Sequence, residues 1–274
     1  MENKISLILE KGKEVWNKMK EKRPLVYHIS NFVAMPEQAH ITLAIGASPV
    51  MALAPDEAED MCSAANVLLI NIGTPSQEQL LAMKRALNIA NKRRIPVLLD
   101  PVGYGATPFR NNVVNELLEN GKFAVIKGNS GEIMALAGTM GAVKGVDAVN
   151  YDNKELVDVI KDLSKRYGCV VIATGEEDFL SNGEKIFSVK GGSRMLRKIT
   201  ASGCMVGSIV ASLLGAGEDT LVSSIAGLVA FKTAAERAEE RSSGPGSFRM
   251  HLFDELAILN GGDIVRKGVV KLWT

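Results

Sequence analysis

Four short runs constrain the fold most: Asn66 to Ile72, Ile95 to Leu99, Phe123 to Ile126 and Cys169 to Ala173. Each is apolar almost throughout, with none of the polar alternation of a strand that has one wet face. Strands of this kind are covered on both sides, which is the habit of parallel sheets in α/β proteins. Each run ends in turn or capping residues: Gly73, Asp100-Pro101, Gly128-Asn129 and Thr174-Gly175. Helix-patterned segments separate them. Strand and helix in alternation predict a mainly parallel sheet with helices on both faces.

The same pattern extends outward. Helices are expected over residues 3–22, 36–45, 55–64, 74–92, 107–120, 130–136 and 153–167, with strands at 24–29 and 48–51. Thr74 before Pro75 and Thr107 before Pro108 are suitable N-cap pairs. Residues 139–152 read as a surface excursion. Beyond Ala173 the pattern changes. Asp178 to Leu180, Glu184 to Val189 and Met195 to Ile199 read as antiparallel strands, with Ser181-Asn182-Gly183 as a hairpin turn. Helices near 204–214, 219–240 and 248–260 follow, and the tail 263–274 carries no assignment.

Composition narrows the function classes. No Pro-rich, Ser-rich or charged linker divides the 274 residues, so one domain over 1–274 is expected. Apolar residues are 46% of the chain, enough for a substantial core. A net charge of +1 with both signs interspersed gives no footprint for nucleic acid or an anionic membrane. Cys62, Cys169 and Cys204 are odd in number and lack a CxxC spacing, against a disulfide scaffold or zinc site. The charged amphipathic N-terminal segment does not read as a signal peptide, and no run of 18 apolar residues occurs. A cytoplasmic enzyme is expected.

In open parallel sheets, ligands bind beyond the carboxyl ends of the strands. Those ends carry Ser30-Asn31, Asn71-Gly73-Thr74, Asp100, Lys127-Gly128-Asn129 with Glu132, Thr174-Gly175-Glu176 and Thr200 to Cys204. Asn31, Thr74 and Asn129 each have a local alternative as helix caps, and Glu132 as a first-turn acid. As a set they suit phosphoryl transfer, which needs cations, a metal held by carboxylates and N–H donors. Lys127 offers the cation, and Asp100 and Glu132 a magnesium site bridged by water. The backbone at 203–206 offers donors at a helix N-terminus. There Thr200-Ala201-Ser202-Gly203-Cys204 joins small residues to a thiol, which the helix dipole is expected to acidify. The alternative is a plain helix cap over a small buried thiol. Neither a Walker A sequence, a GxGxxGxV loop nor a GxSxG elbow is present.

These segments resemble those of hydroxyethylthiazole kinases, members of the ribokinase-like group. The resemblance runs through Pro24 to Val33, Gly46 to Met51, Asn71-Ile72-Gly73-Thr74, Leu99 to Gly103 and Gly105 to Arg110. It continues through Ile126 to Glu132, Ala173-Thr174-Gly175-Glu176, Thr200 to Cys204 and Gly244 to Arg249. It implies a three-layer αβα sandwich with antiparallel strands at the C-terminal side of the sheet. It also implies ATP-dependent, Mg²⁺-assisted phosphorylation of 4-methyl-5-(2-hydroxyethyl)thiazole in thiamine salvage. A homotrimer with sites at subunit boundaries is implied as well. By the same resemblance Met51 and Ala201 contact the thiazole with Asn31 nearby. Lys127, Thr174, Asn129 and Gly203 serve ATP, Asp100 and Glu132 serve magnesium, and Cys204 stands beside the reacting hydroxyl.

The chain departs from the family pattern twice. Lys127 replaces an arginine, giving a compact ammonium where a fork is usual. Ala201 replaces a glycine in Thr-Gly-x-Gly-Cys. Three other readings compete. One is a ribokinase-like kinase of another heterocycle or sugar. Another is a cysteine-nucleophile hydrolase, which would need His28, His40 or His251 as partner. The last is a nucleotide-binding scaffold without turnover.

Overall fold

The protein is described from a computed structural model covering residues 2–138, 152–217 and 219–273. Among these residues nine strands form one sheet: β1 Leu25–Ile29, β2 Ser48–Met51, β3 Val67–Asn71, β4 Val97–Asp100, β5 Val125–Asn129, β6 Val170–Thr174, β7 Asp178–Ser181, β8 Ile186–Lys190 and β9 Val269–Trp273. Their spatial order is β2-β1-β3-β4-β5-β6-β7-β8-β9. From β2 through β6 neighbours are parallel, and from β6 through β9 antiparallel.

Helices cover both faces. One layer holds α1 Glu2–Lys22, α2 Met35–Ala44, α8 Ser202–Leu214, α9 Thr220–Glu240, α10 Pro245–Ile258 and α11 Gly261–Lys267. The other holds α3 Ala58–Ala64, α4 Gln77–Arg93, α5 Pro108–Asn120, α6 Ser130–Leu136 and α7 Asn153–Tyr167. Each layer has its own apolar core, and alternate strand residues feed alternate cores. Val67, Leu69, Leu98, Val125 and Ile172 face the α8 side. Leu68, Ile70, Val97, Leu99, Ile126 and Val171 face the α4 side. The strands are therefore apolar on both faces, which is why they lack polar alternation.

This two-residue period places the polar groups. Asn71 continues the row of Val67 and Leu69, Asp100 that of Leu98, and Lys127 that of Val125, all on the α8 side. Helix α8 lies close over them: a methyl added at Gly207 would stand 3.6 Å from Asp100 Oδ2 and 3.7 Å from Leu69 and Leu98. The α8 N-terminus thereby lands at the carboxyl ends of the central strands.

Several local expectations are corrected. Residues 194–198 form a 3₁₀ turn rather than a strand, begun by Ser193, whose hydroxyl accepts from the Met195 N–H at 2.9 Å. The edge position beside β8 belongs instead to β9, in the stretch left unassigned. Trp273 anchors it by donating Nε1–H to Ser188 Oγ at 2.9 Å. Helix α4 is capped by Ser76 rather than Thr74, whose hydroxyl accepts from the Phe32 N–H at 3.2 Å. The third C-terminal helix is α10, as expected, and a further helix, α11, capped by Asn260, begins at Gly261 and runs into the tail that carried no assignment. Helix α3 begins at Ala58, after a turn at 55–57. Thr107 caps α5 as expected. The excursion expected at 139–152 lies outside the described residues, except Asp152, the N-cap of α7. Among the described residues no helix is long and apolar enough to cross a membrane.

Candidate active site

Six polar groups meet where α8 begins. Cys204, in its first turn, lies with its sulfur 3.2 Å from Asn71 Nδ2 and 3.9 Å from Asn31 Nδ2. Asn71 Nδ2 also donates to Asp100 Oδ2 at 3.1 Å. Its Oδ1 accepts from Asn31 Nδ2 at 2.7 Å and from the Gly73 N–H at 3.0 Å. Lys127 Nζ donates to Asp100 Oδ2 at 2.9 Å and to the Gly203 carbonyl at 3.0 Å. Asp100 is 1% exposed and Lys127 3%, so this ion pair is fully withdrawn from water. Asp100 Oδ1 is buried with no hydrogen-bond partner. Gln38 supports the cluster from α2, donating to the Cys204 carbonyl at 3.2 Å and accepting from Ser30 Oγ.

Glu132 sits one strand over. Its Oε2 accepts from the Asn129 N–H at 2.7 Å, and Asn129 Oδ1 accepts in return from the Glu132 N–H at 2.9 Å. This capping box starts α6 directly off β5. Glu132 Oε1 accepts from the Gly103 N–H at 2.8 Å, which ties the loop after β4 to the same carboxylate. A side chain at Gly128 would press on Glu132, with its first carbon 3.0 Å from Oε2. Thr174 Oγ1 donates to the Gly128 carbonyl at 3.2 Å and joins the ends of β5 and β6. The local cap expected of Asn129 is real, yet Glu132 is buried rather than a surface acid.

Burial governs the titration of these groups. The Cys204 thiol is pushed up to about 11 by burial and by the charge of Asp100, against the opposing pull of Lys127 and Asn71. The expected acidification by the helix dipole is therefore overturned: half a unit charge at the helix end does not offset loss of solvent. Burial also raises Asp100, against the pull of Lys127. Burial alone would lower Lys127, but the surrounding acids, Asp100 first, hold it above the ordinary lysine value. Glu132 is pushed up to about 7 by burial and by Asp100.

The structure brings Cys204, Asn31, Asp100, Lys127 and Gly203 into one bonded cluster, with Asn129, Glu132 and Thr174 on the adjoining strand ends. Met51 ends β2 beside His28 and takes no part in these bonds. Ala201 is the N-cap of α8, at φ +62°, a left-handed conformation that glycine adopts without strain. His28 does not partner the thiol. It is buried, donates Nδ1–H to the Val26 carbonyl at 3.1 Å and accepts at Nε2 from Ser208 Oγ at 3.1 Å. Burial lowers its pKa to about 4, so it stays neutral. Neither His40 nor His251 is hydrogen-bonded to Cys204, which leaves the hydrolase reading without its base. Asn71 was visible in sequence only as a polar strand end, and the structure makes it the hub.

The sequence model of the hydroxyethylthiazole kinase family matches residues 16–261. The chain belongs to that family. A hydroxyethylthiazole kinase of Caldivirga maquilingensis is 44% identical over 254 residues, covering 93% of this chain and 94% of the relative. One of Archaeoglobus fulgidus is 43% identical over 247 residues, covering 90% and 91%. The solved structure of the hydroxyethylthiazole kinase protein from Pyrococcus horikoshii superposes with a TM-score of 0.88 at 37% identity, covering 96% of this chain and 99% of that one. A Staphylococcus aureus pyridoxal kinase in complex with ADP shares the fold, with a TM-score of 0.61 at 13% identity over 78% of this chain. The chain is a kinase with a ribokinase-like αβα fold, as the strand-end motifs implied.

Proposed function

We propose that the chain transfers the γ-phosphoryl group of ATP to the hydroxyl of 4-methyl-5-(2-hydroxyethyl)thiazole, a step of thiamine salvage. One observation supports this beyond family membership. The cluster of half-buried Cys204 with buried Asn71, Asp100 and Lys127 lies where α8 aims its free N–H groups past the strand ends. The alcohol oxygen bonds to phosphorus, the bond to the bridging oxygen of ADP breaks, and the alcohol proton passes to the transferred phosphoryl group. The N–H groups at 203–206 receive charge that develops on the phosphoryl oxygens. Met51 and Ala201 border the thiazole, with Asn31 alongside. Thr174, Asn129, Gly203 and Lys127 serve the nucleotide.

Cys204 acts as a neutral group. A thiol pushed up to about 11 is ~10⁻⁴ thiolate at pH 7. It orients the hydroxyl and forms no covalent bond. A loose phosphoryl-transfer transition state asks little of a base.

Two residues fit a magnesium ion. Asp100 Oδ1 is a buried acceptor without a partner, and Glu132 keeps a lone pair on each oxygen after its backbone bonds. Among the described residues no group of three or more His, Cys, Asp or Glu side chains could hold a metal alone. Two carboxylates completed by water and phosphate are the usual magnesium arrangement. When bound, the ion would neutralise charge on the β- and γ-phosphates.

Exposed Phe32 and Val33, just past Asn31, put apolar surface beside the site for a neighbouring subunit to cover, and the family resemblance makes that assembly a homotrimer. Sedimentation tests that assembly. The activity is tested by following ADP release with the thiazole alcohol, pyridoxal, a hydroxymethylpyrimidine and ribose. Selective turnover of the thiazole alcohol is expected. Preference for one of the others assigns the chain to a different acceptor, and no ADP with any of them removes the kinase reading.

A further inference from the structure

Asn71 has no spare hydrogen-bonding capacity. Its amide nitrogen donates to Asp100 Oδ2 at 3.1 Å and Cys204 Sγ at 3.2 Å, and its oxygen accepts from Asn31 Nδ2 at 2.7 Å and the Gly73 N–H at 3.0 Å. That is two donors and two acceptor sites, all used. The orientation of the amide is fixed by its partners. A backbone N–H only donates, so the atom facing Gly73 must be oxygen and the amino group must face Cys204 and Asp100. Asn71 is 1% exposed, so water does not compete for these bonds.

Two consequences follow for the reacting groups. Cys204 sulfur accepts from Asn71, so its S–H points elsewhere. Asp100 Oδ2 accepts from both Asn71 and Lys127, which leaves Oδ1 as its free oxygen. A main-chain tether adds stiffness: the Asn31 amide oxygen accepts from the Val33 and Ala34 N–H groups at 3.0 and 2.9 Å, so the group that holds Asn71 is itself held.

We infer that Asn71 is a positioning residue of the phosphoryl-transfer site, which by one amide both directs the Cys204 thiol toward the alcohol and selects the oxygen that Asp100 presents. The inference rests on the kinase reading for its consequence in turnover, and on the hydrogen-bond geometry alone for its effect on the thiol. Asn71 touches neither alcohol nor phosphate in this account. It acts through Cys204 and Asp100.

Asn71→Asp is the sharpest variant. It keeps the shape and the oxygen that serves Asn31 and Gly73, and it replaces the two-way donor by an acceptor. Asn71→Ser, which is too short to bridge, carries the same test should the acidic variant not fold, with folding checked by circular dichroism. Alkylation of Cys204 by iodoacetamide at pH 8 gives a readout independent of turnover. Cys62 and Cys169 are buried, and Cys204→Ala supplies the background. Loss of one charge-assisted hydrogen bond to the developing thiolate should slow alkylation about tenfold or more in both variants. Their kcat should fall at least about thirtyfold while KM for ATP stays within about threefold. Alkylation at the wild-type rate in both variants overturns the role of Asn71, as does a fall confined to KM. Wild-type protein without thiazole phosphorylation would remove the kinase reading instead, while the alkylation rates still decide the role of Asn71.

Discussion

The Lys127–Asp100 pair gives the most quantitative test of the site, and Lys127→Met is the perturbation that isolates it. The pair is 3% and 1% exposed, and the methionine keeps the length of the stem while deleting the charge. Removing one partner of a buried pair leaves an uncompensated charge and costs about 3–5 kcal/mol. Asp100 escapes that cost by taking a proton, so the loss depends on pH. The folded variant then holds a proton that the unfolded chain, with a carboxyl near 3.9, has released. Stability therefore falls as pH rises, by up to ~1.4 kcal/mol per unit. Between pH 5 and pH 8 the deficit should grow by about 4 kcal/mol, in agreement with the cost of the bare charge. At ~2–4 °C per kcal/mol, melting at pH 8 should drop by roughly 6–20 °C relative to wild type, and by much less at pH 5. Adding Asp100→Asn to Lys127→Met should recover most of the loss, because a neutral pair leaves no buried charge. Thermal melts at both pH values provide the assay. A deficit under ~1 kcal/mol at pH 8, or one equal at both pH values, would refute the claim that Asp100 depends on Lys127 for its charge.

Four further predictions concern the same site. Because burial holds Cys204 as a thiol, kcat should not climb tenfold per pH unit between pH 7 and pH 9; such a slope would make the thiolate the working base. Cys204→Ala should lower kcat about 10–100-fold, and undiminished activity would remove its role. Glu132, pushed up to about 7, is neutral below that value and charged above it, so magnesium-dependent ATP binding should strengthen from pH 6 to pH 8. Calorimetry of Glu132→Gln should show that inflection lost. Ala201 at φ +62° tolerates a methyl but not a β-branch, so Ala201→Val should cost about 1–2 kcal/mol while Ala201→Gly should not. Equal melting temperatures for the two would show that the turn is unconstrained.

How much of this was legible depends on the range of the cause. Runs such as Asn66 to Ile72 declare a two-sided strand because their burial is written locally, and Thr107 or Asn129 declare a cap within four residues. Strand β9 is different. Its sequence, Val-Val-Lys-Leu-Trp, is half exposed and becomes a strand by pairing with distant β8. The basic run 194–198 is built of Arg, Met, Leu and Lys, which favour helical turns; it follows two glycines at positive φ, seats Met195 and Leu196 partly against the core, and among the described residues no strand pairs with it. The strand-end residues Asn31, Asn71, Asp100 and Lys127 do gather with Cys204 at one end of the sheet. Their parity held a further signal: Leu69 and Asn71, Leu98 and Asp100, and Val125 and Lys127 are each two apart, so all three polar groups share a face. The titration of Cys204 was not legible, because it depends on how deeply α8 packs, and that is a property of the whole layer.

The edge strand β9 also has a bearing on biogenesis. Apolar Ile186, Phe187 and Val189 of β8 are synthesised with one edge of the strand unpaired, and the segment that closes it emerges only after four more helices. Until then the nascent chain displays a short β-template of the kind that recruits other chains. Pairing across so long a separation is intrinsically slow. The final assembly of the sheet therefore waits on the ribosome, and the interval before β9 arrives is when holdase binding to this protein has most to protect.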